Sequence, residues 1–280
     1  MTVFLIGLVK KPFLQGAGKA FFVFMLSLGN LPSLFGQKEL GTGQELAFKV
    51  GEKLHYQVKY EWGGIWTQVG KATFSVKADT SRNGTSCFAF EANGRTLAFY
   101  DNFFKVRDLY RSYASRKGLH SLRFIRKVRE GDQHYAEEYL FDRGAAMFYR
   151  LSTGTEKVDS ISYPLHAMDV LTAIYYCRSL NLQKLHKGDT VPIDLVLGKK
   201  VHDTHFTYRG KTSYKGSNGK EYRCHFIEPK LIPGSLFEAG DRMKVLVTDD
   251  RRKVPVYVNT DIIVGNIKVS LLEMEGTIDP

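Results

Sequence analysis

The chain is poor in cysteine, proline and tryptophan: of 280 residues, three are Cys, eight are Pro and two are Trp. Cys87, Cys177 and Cys224 cannot all pair and show no C-x-x-C spacing, so a disulfide framework is excluded. They read as buried free thiols, with a Cys87–Cys224 bridge open in an oxidising compartment. Local catalytic signatures are missing too. No G-x-S-x-G, H-E-x-x-H or P-loop is present, and no repeat at a fixed period. His202 and His205 lie three apart in the extended stretch VHDTHFTY, which sends their side chains to opposite faces of a strand. They therefore do not make a zinc pair, His166 and His225 have no evident partner, and no metal or cofactor is expected.

Long apolar runs are also scarce. Residues 20–35 (AFFVFMLSLGNLPSLF) follow Lys10, Lys11 and Lys19 and are interrupted by Ser27, Asn30, Pro32 and Ser33. A basic region before a short apolar core is the pattern of a secretory signal, here residues 1–36. An uncleaved anchor is the alternative, since residues 1–9 are apolar as well. No cysteine follows the run for acylation, so the expectation is an exported protein of the periplasm or outer-membrane surface, not a lipoprotein. No stable transmembrane span remains after cleavage.

Removing 36 residues leaves 244, enough for one all-β domain with a substantial core, residues 37–280. The leader holds three Lys and no acid, so the formal charge of +11 falls to +8. A basic balance suits anionic glycans or lipid headgroups; no basic helix or aromatic RNA-binding motif points to nucleic acid.

What is present is alternation. Leu54, Tyr56, Val58, Tyr60 and Trp62 alternate with polar residues, as do Ala72, Phe74, Val76 and Ala78 beyond the turn YEWGGIW. A three-residue loop, Gly63 to Ile65, would pair Trp62 with Trp66, Tyr60 with Gln68 and Tyr56 with Ala72. Apolar then faces apolar, which predicts an odd loop or a bulge and a cross-strand tryptophan pair. Further short runs separated by Asn-Gly, Lys-Gly, Glu-Gly and Arg-Gly predict twelve or so strands, the last from Ile262 to Glu273. The fold class is all-β: a large antiparallel barrel-like or sandwich sheet. One capping helix, about 165–182, starts behind Pro164 with Met168, Leu171, Ile174, Tyr175 and Arg178 at helical spacing.

Three blocks carry a family resemblance. The hairpin YQVKYEWGGIWTQVGKATFSV, the segment MDVLTAIYYCRSLNLQKLHKGDTVPI and the closing hairpin VLVTDDRRKVPVYVNTDIIVGNIKVSLLE resemble a bacterial exported family, domain of unknown function 3108. The likeness spans about residues 50–275. It implies an envelope protein on a large antiparallel barrel-like sheet, similar to some capsule-export accessory proteins, and it supplies no catalytic residues.

Candidate chemistry is sparse. Asp249 and Asp250 sit in TDDRRK between two apolar strands and read as a solvated hairpin turn. Glu137 and Glu138, adjacent on a strand, diverge. The clearest binding signal is a basic stripe with interleaved aromatics. Arg107 and Arg111 share one face with Tyr113; Arg123, Lys127 and Arg129 share another. Such a stripe can hold phosphate or uronate oxygens. Tyr60, Trp62 and Trp66 at a barrel mouth add stacking surface, and Tyr56, Tyr60 and Trp62 can alternatively line an acyl cavity. The functional expectation is non-catalytic binding of an envelope glycan, lipid or partner protein. A polysaccharide-acting hydrolase with dispersed carboxylates and a structural assembly factor are the alternatives.

Overall fold

A computed structural model describes residues 45–80, 84, 86–232, 242–262 and 265–280, and among these the alternation of apolar and polar residues builds fourteen strands. The expected leader, residues 1–36, lies outside the described residues. The strands are β1 (Lys53–Trp62), β2 (Ile65–Thr80) and β3 (Ser86–Thr96); then, after a short helix α1 (Ala98–Asp101), β4 (Arg107–Ser115), β5 (Ser121–Glu130), β6 (Gln133–Asp142), β7 (Met147–Ser152) and β8 (Asp159–Ser162). Helix α2 (Val170–Ser179) and a 3-10 turn (Leu182–Lys184) precede β9 (Thr190–Leu197), β10 (Lys200–Lys215), β11 (Glu221–Pro229), β12 (Met243–Thr248), β13 (Pro255–Asp261) and β14 (Asn266–Glu275).

All belong to one antiparallel sheet in which β1 pairs with both β2 and β14, leaving β8 and β9 as the edges. The sandwich alternative is therefore replaced by a single rolled sheet whose seam lies between two strands consecutive in the chain. The connection between them covers that seam. The Met168 amide donates to the Asp194 carbonyl (3.0 Å) and the Val196 amide to the Met168 carbonyl (2.9 Å). Lys199 reaches across to Asp159 at 3.0 Å. Unpaired strand edges cost solubility, and a barrel removes them by closure.

Helix α2 goes inward. Val170, Leu171, Tyr175, Tyr176 and Arg178 are all buried, so it plugs the barrel. The Tyr175 ring stacks on Phe90 at 4.0 Å and meets Phe48 edge-on at 4.9 Å. The expected helix was longer. Residues 166–168 are spent on the β9 edge, and Asp169 then caps the helix by accepting from the Leu171 and Thr172 amides, both at 3.0 Å. Pro164 accordingly precedes the helix without starting it. Among the described residues no helix is long and apolar enough to cross a membrane.

The opening hairpin also differs from expectation. Gly63 and Gly64, at φ 59° and 83°, make a two-residue turn, pairing Trp62 with Ile65, Glu61 with Trp66 and Tyr60 with Thr67. The two tryptophans are not cross-strand partners. The extra residue sits lower: Val58 faces Gly70 while Lys59 faces Gln68, so Val69 bulges. Below that bulge the expected apolar register holds, with Tyr56 opposite Ala72 and Leu54 opposite Phe74. The primed turn suits the strand twist, and the bulge returns the apolar residues to the inside. The last strand starts at Asn266, because the Ile262 amide bonds the Gly265 carbonyl across a turn.

Beside the plug helix the described interior is filled. Tyr56, expected as a possible cavity wall, is buried and donates to the Pro255 carbonyl at 2.9 Å; the void beside it measures about 10 Å³. All three cysteines are free, so the Cys87–Cys224 bridge does not form. Burial pushes the Cys177 and Cys224 thiols up to about 12. A thiolate reagent at pH 8 should therefore label the fully buried Cys224 only at the rate of unfolding, and freely in guanidinium, whereas Cys177 is partly exposed and slowed chiefly by its raised pKa. Rapid native labelling of Cys224 would contradict the burial.

Candidate functional site

The outer face of the sheet bears a trough of about 590 Å³ that crosses β4, β3, β2, β1 and β14. Strand register explains its chemistry. Lys71 on β2 faces Arg95 on β3, and Arg95 faces Arg107 on β4. Three cations thus stand in a row on adjacent strands, a destabilising arrangement for directly opposed residues. Asp101 relieves one of them: Arg107 donates to its two oxygens at 3.0 and 2.5 Å and to the Thr96 hydroxyl at 3.2 Å. Among the described residues, Lys71 and Arg95 have no ion-pair partner. One row along, Asn93, Thr73 and His55 line the floor, with Leu109 and Leu272 as apolar walls and Glu273 at the far side. His55 Nδ1 and the Thr73 hydroxyl are 3.1 Å apart.

Only Arg107 of the expected stripe lines this trough. Arg111, one pair further along β4, gives two hydrogen bonds (2.9 and 2.5 Å) to Glu91, which also takes Lys77 at 3.2 Å and Asn93 at 3.1 Å. These donors hold the Glu91 carboxyl below its ordinary range against the opposing effect of burial. Arg123 pairs with Glu138 at 2.7 Å and lies over the Tyr113 ring. The stripe is therefore an ion-paired outer wall more than a free cationic surface. Lys127 stands opposite Leu109, flanking the trough, and the Arg129 backbone amide donates to Asp108 at 3.1 Å. Tyr60 and Trp66 sit apart, near the β1–β2 turn, with Lys268 Nζ 3.6 Å from the Trp66 ring centre. The Trp62 side chain lies outside the described residues.

Partners that sequence spacing did not reveal appear elsewhere. Asp249, expected to be solvated, is 5% exposed and accepts from Gln183 (2.5 Å) and pairs with His225 (2.9 Å) and Lys211 (3.1 Å). His225 Nδ1 lies 2.9 Å from the Tyr208 hydroxyl, and burial holds this histidine below its ordinary value. His166 pairs with Asp194 at 2.8 Å across the seam. Glu137 is buried between Arg126 and Arg150, while Glu138 faces Arg123, so the two do diverge. Among the described residues no cluster of three metal-ligating side chains forms.

The trough offers no close acid pair. Its carboxylates, Glu273 on β14 and Asp108 on β4, are four strand spacings apart. At about 4.8 Å per spacing that is roughly 19 Å. Glycoside hydrolysis needs about 5–10 Å. Asp108 is moreover buried, 3% exposed, with the charges of Glu130 and, more weakly, Arg126 acting on it in opposite directions.

The comparisons agree with this architecture. A family model described as "Protein of unknown function (DUF3108)" matches residues 55–272. A crystal structure of a beta-barrel-like protein of domain of unknown function DUF1849, from Brucella abortus, is similar in fold: TM-score 0.54 at 9% identity, covering 82% of this chain and 98% of that one. At that identity the likeness shows the fold alone. Among curated proteins nothing matches.

Proposed function

The chain belongs to the DUF3108 family of proteins of unknown function, and from that premise we propose that it is an exported, non-catalytic envelope protein whose outer trough binds an acidic glycan. The single observation that carries this reading is the opposed row Lys71–Arg95–Arg107. An anionic ligand converts its repulsion into attraction. A guanidinium and an ammonium on neighbouring strands suit uronate carboxylates spaced along a saccharide. Asn93, Thr73 and His55 can exchange hydrogen bonds with hydroxyls, and Leu109 and Leu272 can cover an apolar sugar edge. A volume of about 590 Å³ is that of a ligand site for a few sugar units.

The test is titration with oligogalacturonate and with a neutral maltooligosaccharide, at low and moderate salt. Arg95→Glu reverses an exposed charge between two cations and should keep or slightly raise the melting temperature. Losing one charge-assisted contact costs about 1.5–3 kcal/mol, so oligogalacturonate affinity should fall roughly ten- to a hundredfold. Equal binding of the neutral saccharide, or an unaltered affinity in Arg95→Glu, would remove this reading. Export is checked separately, by N-terminal sequencing of the protein from the envelope fraction. A start near Gln37 fits; an intact Met1 in the cytosol does not.

A further inference from the structure

We infer that the end of the barrel carrying the β1–β2 turn docks on an anionic lipid surface, with Ile65, Trp66, Phe99 and Phe103 entering the headgroup boundary. Large apolar side chains are normally exposed singly and scattered. Here they gather at one end. Antiparallel order puts the β1–β2 turn, the β3–β4 connection and the β7–β8 connection on the same side of the barrel. Ile65 is 71% exposed, Phe99 67% and Phe103 70%, with Trp66 at 36%. Leu151 and Val158 flank the β7–β8 connection at the same end; among the described residues only Val50 and Leu165 are comparably exposed elsewhere. Helix α1 and its exit turn hold the two Phe rings 5.6 Å apart, and none of the α1 residues is buried, so packing does not account for them.

Charge decides the occupant. Lys59 and Lys268 face each other directly on β1 and β14, beside Trp66. Lys105 lies two residues beyond Phe103, and the exposed Lys157 adjoins Val158. Of the acids at this end, Asp101 is taken by Arg107 and Glu61 accepts from the Gly64 amide, while Asp132, Glu156 and Asp261 are exposed. Opposed lysines repel, and a second copy brought to this end would add to that repulsion. An anionic headgroup layer relieves it. The shape agrees: several turn tips around a barrel rim meet a plane together. Tryptophan and lysine at the level of the headgroups, with phenylalanine beyond, are the usual composition of an interfacial anchor.

The chain offers its own probe. Trp62 and Trp66 are its only tryptophans, both in this hairpin, and residues 1–36 contain none. The full chain is mixed with vesicles of phosphatidylglycerol and phosphatidylethanolamine, part of the lipid carrying brominated acyl chains. Tryptophan emission should shift to the blue and be quenched, less so as salt rises. Neutral phosphatidylcholine vesicles should do neither. Phe99→Ser with Phe103→Ser should lower partitioning about tenfold or more while the melting temperature holds, since both side chains are exposed. Arg95→Glu should leave quenching intact, which separates this surface from the trough. Vesicle association without quenching would place the contact in the apolar N-terminal residues and overturn the inference. So would no association, quenching equal on neutral vesicles, or quenching indifferent to the two Phe substitutions.

Discussion

Arg178→Ala should destabilise the protein by about 3–5 kcal/mol, the cost of leaving a buried carboxylate unpaired. Arg178 is 3% exposed and Glu52 is fully buried. The guanidinium gives Glu52 two parallel bonds at 2.6 and 2.8 Å and donates to the carbonyls of Ala47 (3.1 Å) and Arg252 (3.0 Å). One side chain on the plug helix therefore fastens two separate pieces: the segment before β1, at Ala47 and Glu52, and the β12–β13 turn at Arg252. Removing it leaves a buried charge and two carbonyls without their donor. For a domain of this size each kcal/mol is roughly 2–4 °C, so the melting temperature should drop by about 6–20 °C. Thermal and urea melts read it directly. Arg178→Met combined with Glu52→Leu should recover part of the loss, because neither partner is then left charged and alone. It should not recover all, since the carbonyls of Ala47 and Arg252 still lack a donor. A loss under about 1 kcal/mol in the single variant would mean that the helix is held by its apolar face and not by this pair.

The barrel was legible in the sequence because period two dominates it, from Leu54 to Trp62 and on through the later strands. The helix was legible as a break in that period, though its start was not: residues 166–168 look helical but go to the β9 edge. The hairpin register was right where apolar residues must face inward and wrong at the tip, where a tight turn with a bulge at Val69 meets the same pattern as a longer loop. Alternation also assigned Arg111 and Arg123 to the outside. It could not show that Glu91 and Glu138 would meet them, since those partners lie 20 and 15 residues away. Lys71 and Arg95 are outward by the same alternation, yet nothing in one strand says that they will stand opposite each other. The trough is a property of pairing between strands, and single-strand patterns carry no pairing. Asp249 shows the reverse error. It lies in a turn motif that predicts solvation, and three side chains from other elements close over it.

Asp108 carries the second large effect, and it depends on pH. Its carboxyl is pushed up from an ordinary 3.8 to about 7, first by burial and then by the neighbouring Glu130 charge. The Arg129 amide bonds one of its oxygens; the other, Oδ2, is buried without a hydrogen-bond partner among the described residues. Between about pH 4 and 7 the folded chain keeps a proton here that the unfolded chain has released. This group's contribution to stability is therefore fully present in mild acid and is lost as pH rises through this window, opposite in sign to that of Glu91 and Glu137, whose carboxyls are held below their ordinary range. The difference between 3.8 and about 7 corresponds to roughly 4 kcal/mol once both forms are ionised. Asp108→Asn should leave stability near pH 4 little changed, since the neutral amide resembles the protonated acid. At pH 8 it should raise stability by a few kcal/mol, flattening the dependence between. Glu130→Gln should do the same in part, by removing the like charge that helps to raise Asp108. Urea denaturation of the three proteins at pH 4.5, 6 and 8 decides it. An Asp108→Asn variant whose stability follows pH with the same slope as the native chain would show that this carboxyl is ionised in the fold and that its charge is met by a group other than the Arg129 amide.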